Sequence, residues 1–332
     1  MDIEDPEALL SYLRAGGHIG ADERPGVRVL AGGVSNRTVW LRRASGEEWV
    51  LKQALGRLRV AVEWLSPPAR ICREALGMRW LARLLPEGAV PKLLFEDPEH
   101  FLIGMSAVPE PHRNWKAMLL EGELSDAHVD QFAAMLAAIH GERSTAAAQA
   151  FGDASYFESL RLEPYYAYTA TRVPEAAGFL NALVAETRAT KESLVHGDYS
   201  PKNILVHRDR LVLLDHEVIH FGDPAFDLGF ALTHLLSKAH HVEGRGEAFA
   251  AAAKRFWAVY CGADFNPRGT SVPLRAVRHT LGCLLARVEG RSPLEYLSDT
   301  ERTRQRAAVT ALIANVPGTV PDLVDAFTER LS

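Results

Sequence analysis

The sequence predicts an α+β chain of two lobes, a small β-rich N-terminal lobe and a larger, mainly helical C-terminal one. Three observations predict it. Short apolar strands cluster before residue 106. Helix-period runs dominate after residue 125. Between them lies Met105-Ser106-Ala107-Val108-Pro109-Glu110-Pro111, where the prolines can continue neither pattern. The lobes are accordingly 1–108 and 109–332, with a hinge at about 105–110. A length of 332 residues, 47% of them hydrophobic, supplies core for about two domains.

In chain order, Val27–Leu30, Thr38–Leu41 and Trp49–Lys52 read as strands, with turns at Gly32-Gly33 and Ser45-Gly46. Ile71, Ala75, Met78, Leu81 and Leu84 recur at helical spacing over 69–84, and Pro86 and Gly88 end the pattern. Val90–Phe95 and Phe101–Met105 are two further strands around the turn Glu96-Asp97-Pro98-Glu99. Beyond the linker, Ser125 caps a helix that runs to His140 and stops at Gly141. A helix at 174–189 follows, then strands at 204–206 and 211–214. Four more helices span about 224–240, 246–261, 272–288 and 301–314.

Bulk chemistry excludes several classes. Charged residues are 24%, an ordinary globular share. Cys72, Cys261 and Cys283 form neither a disulfide framework nor a zinc spacing, which fits a reducing cytoplasm. The acidic start Met1-Asp2-Ile3-Glu4-Asp5-Pro6 lacks the features of a signal peptide, and no apolar run approaches the roughly 20 residues that span a bilayer. No membrane partner is therefore expected. A net charge of −5 argues against nucleic acid as a partner. The whole excess lies after residue 108, where Lys+Arg are 23 and Asp+Glu are 28. An acidic lobe suits a cationic substrate, although Asp198, Asp215 and Glu217 are part of the count.

The chemically richest stretch is Val195-His196-Gly197-Asp198-Tyr199-Ser200-Pro201-Lys202-Asn203, followed by Leu213-Leu214-Asp215-His216-Glu217. It places an Asp, an Asn five residues later and a second Asp twelve residues beyond. A turn alone asks for no such series. Phosphoryl transfer does, because it needs positioning and charge neutralisation more than covalent chemistry. A short loop with one base and two oxygen ligands supplies both. Lys52 closes an apolar strand and can reach nucleotide phosphates while its stem packs on the sheet. Glu74, on the following helix, is its expected ion-pair partner, with Glu63 an alternative. Backbone N–H groups around Gly33, Ser35 and Asn36 sit where a phosphate-covering loop belongs.

Together these motifs resemble the aminoglycoside phosphotransferase and choline kinase superfamily of small-molecule kinases. Gly222-Asp223-Pro224-Ala225-Phe226-Asp227-Leu228-Gly229 is similar to that family's second signature. The resemblance implies a bilobal protein-kinase-like fold with ATP in the cleft, its adenine against the backbone of Met105–Val108, including Ser106 and Val108. It also implies Asp198 as catalytic base, Asn203 and Asp215 as Mg²⁺ ligands, and His196 and Asp227 as supports of the loop.

Asp215-His216-Glu217 resembles the Asp-x-Glu of methylthioribose kinases, which makes Glu217 a further candidate metal ligand. Lys52–Arg59 with Trp64 is similar to the same enzymes, as is Leu285–Arg291, whose Arg287 is a candidate sugar contact. Trp115, in the basic stretch after the linker, is a second candidate substrate contact, weighed against a packed helix start. Two departures stand against methylthioribose itself: Asn203 stands where those enzymes tend to carry Ser, and this chain is shorter. The expected substrate is a hydroxyl-bearing small molecule, sugar-like first and an aminoglycoside or choline-like amino alcohol second.

Two other classes compete. A metal-dependent hydrolase would draw on His216, His220, His234, His240 and His241 around Asp215. A non-catalytic binding protein on the same fold would be expected to have lost Lys52, Asp198, Asn203 or Asp215. All four are present.

Overall fold

The computed structural model describes residues 1–30, 33, 35–59, 64–263 and 270–331. Gly32 and Val34 of the expected phosphate loop, and Glu63, lie outside the described residues. The chain forms two compact units. The first is Met1–His112 with Val212–Glu217; the second is Arg113–Leu211 with Val218–Ser332.

The first unit opens with α1 (Pro6–Ala15). The Asp5 carboxylate accepts the N–H groups of Glu7 and Ala8, and Pro6 takes the first helical position. This helix escapes the periodicity reading because only Leu9 and Leu13 of its residues are fully buried. Those two join Ile3, Ile19, Val39, Leu41, Trp49, Leu51 and Leu102 in one apolar cluster. Burial of each such side chain stabilises by about 1.5–3 kcal/mol.

The sheet beside it contains β1 (Gly26–Val29), β2 (Asn36–Arg42), β3 (Glu48–Ala54), β4 (Leu93–Asp97) and β5 (Leu102–Ser106). The order is β1-β2-β3-β5-β4, antiparallel throughout. Alternation along β3 buries Trp49, Leu51 and Gln53 on one face and turns Lys52 to the other. Helix α2 (Arg70–Leu84) follows and buries Arg70, Ile71, Glu74, Ala75, Met78 and Leu81. Strand β4 starts at Leu93 rather than Val90. Pro91 has no N–H for a ladder, and the Ala89 carbonyl accepts the Leu213 N–H at 2.8 Å instead.

The second unit is mainly helical. It contains α3 (Trp115–Leu120), α4 (Asp126–His140) and a helical run over 155–172 whose middle, Glu158–Ala167, is a π-helix. Then come α5 (Ala177–Ala189), β6 (Ser193–Val195), β7 (Ile204–His207), β8 (Arg210–Leu213), the last crossing into the first unit, and β9 (His220–Gly222). Helices α6 (Pro224–His241), α7 (Gly246–Gly262), α8 (Val272–Glu289), α9 (Asp299–Ala314) and α10 (Val320–Leu331) complete it. Ser125 does precede α4, but through its carbonyl, which accepts from His128 and Val129; its side chain makes no cap bond. The run at 155–172 and α10 were outside the sequence reading. Pro164 and the wider π turn mask the usual 3.6 period in the first.

Helix α6 is the axis of this unit. The Asp223 carboxylate caps it by accepting the Ala225 N–H at 2.9 Å, Pro224 starts it, and every residue from Pro224 to Ala239 is buried. At Gly229 the α8 backbone comes so close that a Cβ would lie 2.5 Å from both C and Cβ of His279. Only glycine allows that approach. Gly229→Ala is expected to destabilise by about 1–3 kcal/mol through overpacking, outweighing the ~1 kcal/mol helix-propensity gain. Thermal or urea unfolding checks this, and an unchanged midpoint would refute the close contact.

Candidate active site

In the first unit, Lys52 is the hub. Its Nζ donates to Glu74 Oε1 at 2.6 Å and to Asp215 Oδ1 at 2.9 Å. Burial pushes the ammonium down, but the Asp215, Glu74 and Glu217 carboxylates outweigh it and hold the pKa above its ordinary value. Glu74 is pushed up to about 7, first by burial and also by Asp215 and Glu217, against the pull of Lys52. Asp215 reaches Lys52 from a left-handed backbone conformation, φ 67°. Such a conformation in a non-glycine residue costs of order 1–3 kcal/mol, and aspartate tolerates it better than most.

Glu217 is tied down by a residue the sequence reading missed. Arg70, fully buried at the start of α2, donates Nε to Glu217 Oε2 at 3.0 Å. Its other nitrogens donate to the carbonyls of Leu55, Ser66, Pro67 and Ser35. Asn36 Nδ2 donates to the same Glu217 oxygen at 3.3 Å, and Asn36 is buried. One Glu217 oxygen is thus committed to Arg70 and Asn36. The direct metal role expected for it rests on the other. The Asn36 side chain ties the start of β2 to Glu217.

Gly33 is exposed, and the Ser35 carbonyl also accepts the Leu55 N–H at 3.0 Å. At the end of β5, the Ser106 N–H donates to the Lys92 carbonyl and the Ala107 N–H to that of Glu48. The Ser106 hydroxyl accepts the Lys92 N–H at 2.9 Å, and Val108 is buried. Gln53 is buried and bonded to Met1, Ile3 and His100, and Arg59 is bonded to Glu4.

In the second unit, the loop after β6 presents Asp198. Its carboxylate accepts Asn203 Nδ2 at 2.7 Å and Arg161 Nη2 at 2.7 Å. Asn203 Nδ2 also donates to the Asp198 carbonyl at 3.0 Å, which leaves the amide oxygen as the atom a cation would take. His196 Nδ1 accepts the Asp198 N–H at 3.2 Å, and the ring is fully buried.

Beneath the loop lies Asp227, also fully buried. It accepts the His196 N–H at 2.7 Å, the Gly197 N–H at 2.8 Å and His140 Nε2 at 3.2 Å. Burial alone would raise this carboxyl, but the His140 and His196 interactions carry it below its ordinary value. Gly197 has φ 80°, and a Cβ there would meet the Val218 carbonyl at 2.9 Å.

Of the two candidate substrate contacts, Trp115 takes the packed reading weighed above, and Arg287 lies in a buried polar cluster. Trp115 is fully buried, its ring 4.9 Å from Phe132, so it is a core residue and no contact for substrate. Arg287 is 8% exposed and held by Ser292 and the Tyr165 hydroxyl. Arg161, absent from the sequence reading, is the cation that reaches Asp198.

The histidines do not assemble a metal centre among the described residues. His240 bonds Gln305, His241 bonds Glu301, and the His220 ring bonds the Val218 carbonyl. The metal-capable group among those residues is Glu74, Asp215 and Glu217, whose ligand atoms all lie within 4.8 Å of one another. Its members are hard carboxylate oxygens, and Glu74 Oε2 is buried without a hydrogen-bond partner. Such donors suit Mg²⁺ and not a soft metal.

A family model described as the APH phosphotransferase enzyme family matches residues 26–269. The chain belongs to that family. No curated protein sequence matches it. Among solved structures, this phosphotransferase is similar to a macrolide 2'-phosphotransferase of Brachybacterium faecium, with 20% identity over 94% of this chain and 99% of that one and a TM-score of 0.54. It is similar to a choline/ethanolamine kinase family protein of Mesorhizobium loti, with 18% identity over 98% and 99% and a TM-score of 0.54. A streptomycin–ATP complex of APH(2")-IIa matches with 13% identity over 92% and 97% and a TM-score of 0.52.

At these identities the likeness is one of fold: a sheet-bearing N-terminal region and a mostly helical remainder, as in protein-kinase-like enzymes. Family membership sets aside the hydrolase and the non-catalytic readings. It makes the protein a small-molecule phosphotransferase.

The phosphotransferase's loop anchor is open to test. Asp227→Asn keeps one accepting oxygen but turns an NH₂ toward a backbone N–H. An unsatisfied buried donor costs about 1–3 kcal/mol. The expected outcome is a lowered melting temperature together with lost turnover. Wild-type values of both would show that the carboxylate does not hold the loop.

Proposed function

We propose that the protein is an ATP- and Mg²⁺-dependent kinase that moves the γ-phosphate to a hydroxyl of a small, polar, sugar-like molecule. The observation that carries the reading is Lys52 held between Glu74 and Asp215, the arrangement that positions nucleotide phosphates in kinases. The ammonium is kept charged by its two carboxylates, so it offers phosphate oxygens a fixed cation. Arg70 holds the Ser35 carbonyl and Glu217, and Asn36 donates to the same Glu217 oxygen, which ties the start of β2 to the carboxylate beside that cation.

Asp198 orients the acceptor hydroxyl and takes its proton as the hydroxyl oxygen bonds to the γ-phosphorus. The bond from that phosphorus to the bridging oxygen breaks, and ADP leaves. Asn203 and Asp215 would hold Mg²⁺, which when bound neutralises phosphate charge. Asn203 keeps the Asp198 carboxylate in place meanwhile, and His196 and Asp227 fix the backbone beneath it. An aminoglycoside or amino alcohol as acceptor is the second reading, supported by similarity of fold to enzymes named for those substrates.

Asp198→Asn is expected to lower kcat by about 10²–10⁴-fold with the KM for ATP nearly unchanged. Lys52→Ala is expected to impair productive ATP binding, raising KM and lowering kcat together. Chelation of divalent cations should abolish turnover. ADP release from Mg-ATP, measured across sugars, amino alcohols and aminoglycosides, checks all three. Full turnover by Asp198→Asn would end the base assignment.

A further inference from the structure

The second unit holds a cluster of cations that the fold leaves largely unneutralised. Lys238, in α6, is fully buried. Its Nζ donates to the His234 carbonyl at 3.0 Å and lies 5.2 Å from the centre of the Tyr296 ring. Lys116, from α3, approaches the same ring at 5.8 Å. Arg287, from α8, donates to Ser292 Oγ at 2.9 Å and to the Tyr165 hydroxyl at 3.2 Å. Glu295, paired with Lys116, is 65% exposed. Among the described residues, Lys238 and Arg287 have no carboxylate within ion-pair distance.

Three polar atoms in this cluster have no hydrogen-bond partner: His234 Nε2, Arg287 Nε and the Tyr296 hydroxyl. His234 is 4% exposed and Arg287 8%, so bulk water does not readily serve them. The electrostatics agree. Burial, then Lys116 and Arg287, push Lys238 down to about 7, with Glu295 acting in the opposite sense. His234 is driven well below its ordinary value by burial and then by Lys238, Arg287, Lys116 and Lys202, all of them cations. One partly exposed carboxylate, Glu295, faces three cations here; buried cations with so little counter-charge are costly, and an anion relieves that cost.

The cluster is continuous with the reacting group. Arg161, paired to Asp198, lies 5.9 Å from the Tyr165 ring centre, and Arg287 lies 5.6 Å from the same ring. Tyr165 thus links the cation on Asp198 to the cations beyond it.

We propose that Lys238, Arg287 and Lys116 form an oxyanion site, so that the phosphate acceptor is a hydroxylated molecule carrying a carboxylate or phosphoryl group. The acceptor's hydroxyl lies at Asp198 and its anionic end against these three cations. This assignment rests on the phosphotransferase reading above and narrows its substrate class to acidic polyols. It disfavours a cationic acceptor.

The test has two independent arms. In the first, melting temperature is measured in gluconate or inorganic phosphate against sodium chloride of equal ionic strength. This is done for the wild type, Lys238→Met and the more exposed Lys116→Ala. A shift of several degrees specific to the oxyanions, lost or reduced in both variants, is expected. No shift beyond that of chloride overturns the site. In the second, Mg-ATP turnover is compared between glycerate and glycerol, gluconate and glucose, and glycerate and ethanolamine. The acidic partner of each pair is expected to show higher kcat/KM by about tenfold or more. Preference for the neutral or cationic partner overturns the proposal. Failure of the phosphotransferase reading shows differently, as an absence of Mg-ATP turnover with every acceptor while the oxyanion shift persists.

Discussion

Placing a carboxylate where water cannot reach is costly unless its lone pairs are filled, and Asp227 sets that condition for the loop above it. Its oxygens take two successive backbone N–H groups and one imidazole. Two consecutive N–H groups can point at one carboxylate only if the backbone turns sharply between them, which Gly197 does with its positive φ. The direction in which Asp198 leaves the backbone follows from that turn. Asn203 and Arg161 then fix the carboxylate that Asp198 presents. The same logic recurs in the first unit with opposite sign. There a buried guanidinium, Arg70, gathers four carbonyls and Glu217, and so fixes the strand end and loop around it.

What the sequence made legible is what is encoded locally. Asp198, Asn203 and Asp215 are separated by short, fixed intervals along one loop-and-strand segment, so their spacing shows directly. Strands β2 and β3 and helices α2 and α6 carry enough apolar repeats to show their periods. Lys52 and Glu74 were found because one ends an apolar strand and the other sits on the next helix.

Residues whose partners are remote were missed. Arg161 is 37 positions from Asp198, and Arg70 is 147 from Glu217. No local pattern distinguishes either from a solvated arginine. Trp115 is buried, as the packed reading of its stretch expects, whereas the burial of the Asn36 side chain against Glu217, 181 positions away, has no local signal.

Net charge bears only weakly on the substrate for a related reason. The C-terminal excess of acids is real in the sequence, but a sum over 224 residues carries no information about which charges share a cavity wall. Many acids of that part sit in exposed pairs, such as Asp130 with Arg255 and Glu158 with Arg188. Such pairs contribute about 0–1 kcal/mol and set little of the internal field. The field around His234 comes instead from Lys238, Arg287 and Lys116, of which Lys238 and Arg287 are buried.

The π-helix at Glu158–Ala167 carries both Arg161 and Tyr165. Its i→i+5 bonding accommodates about one residue more per turn than an α-helix. Deleting one residue within it would restore α-helical register and rotate Arg161 out of line with Asp198, while the flanking helical turns could remain as they are. Segment length in this helix is therefore a natural dial: a change of one residue can move Arg161 relative to Asp198 without a change of fold.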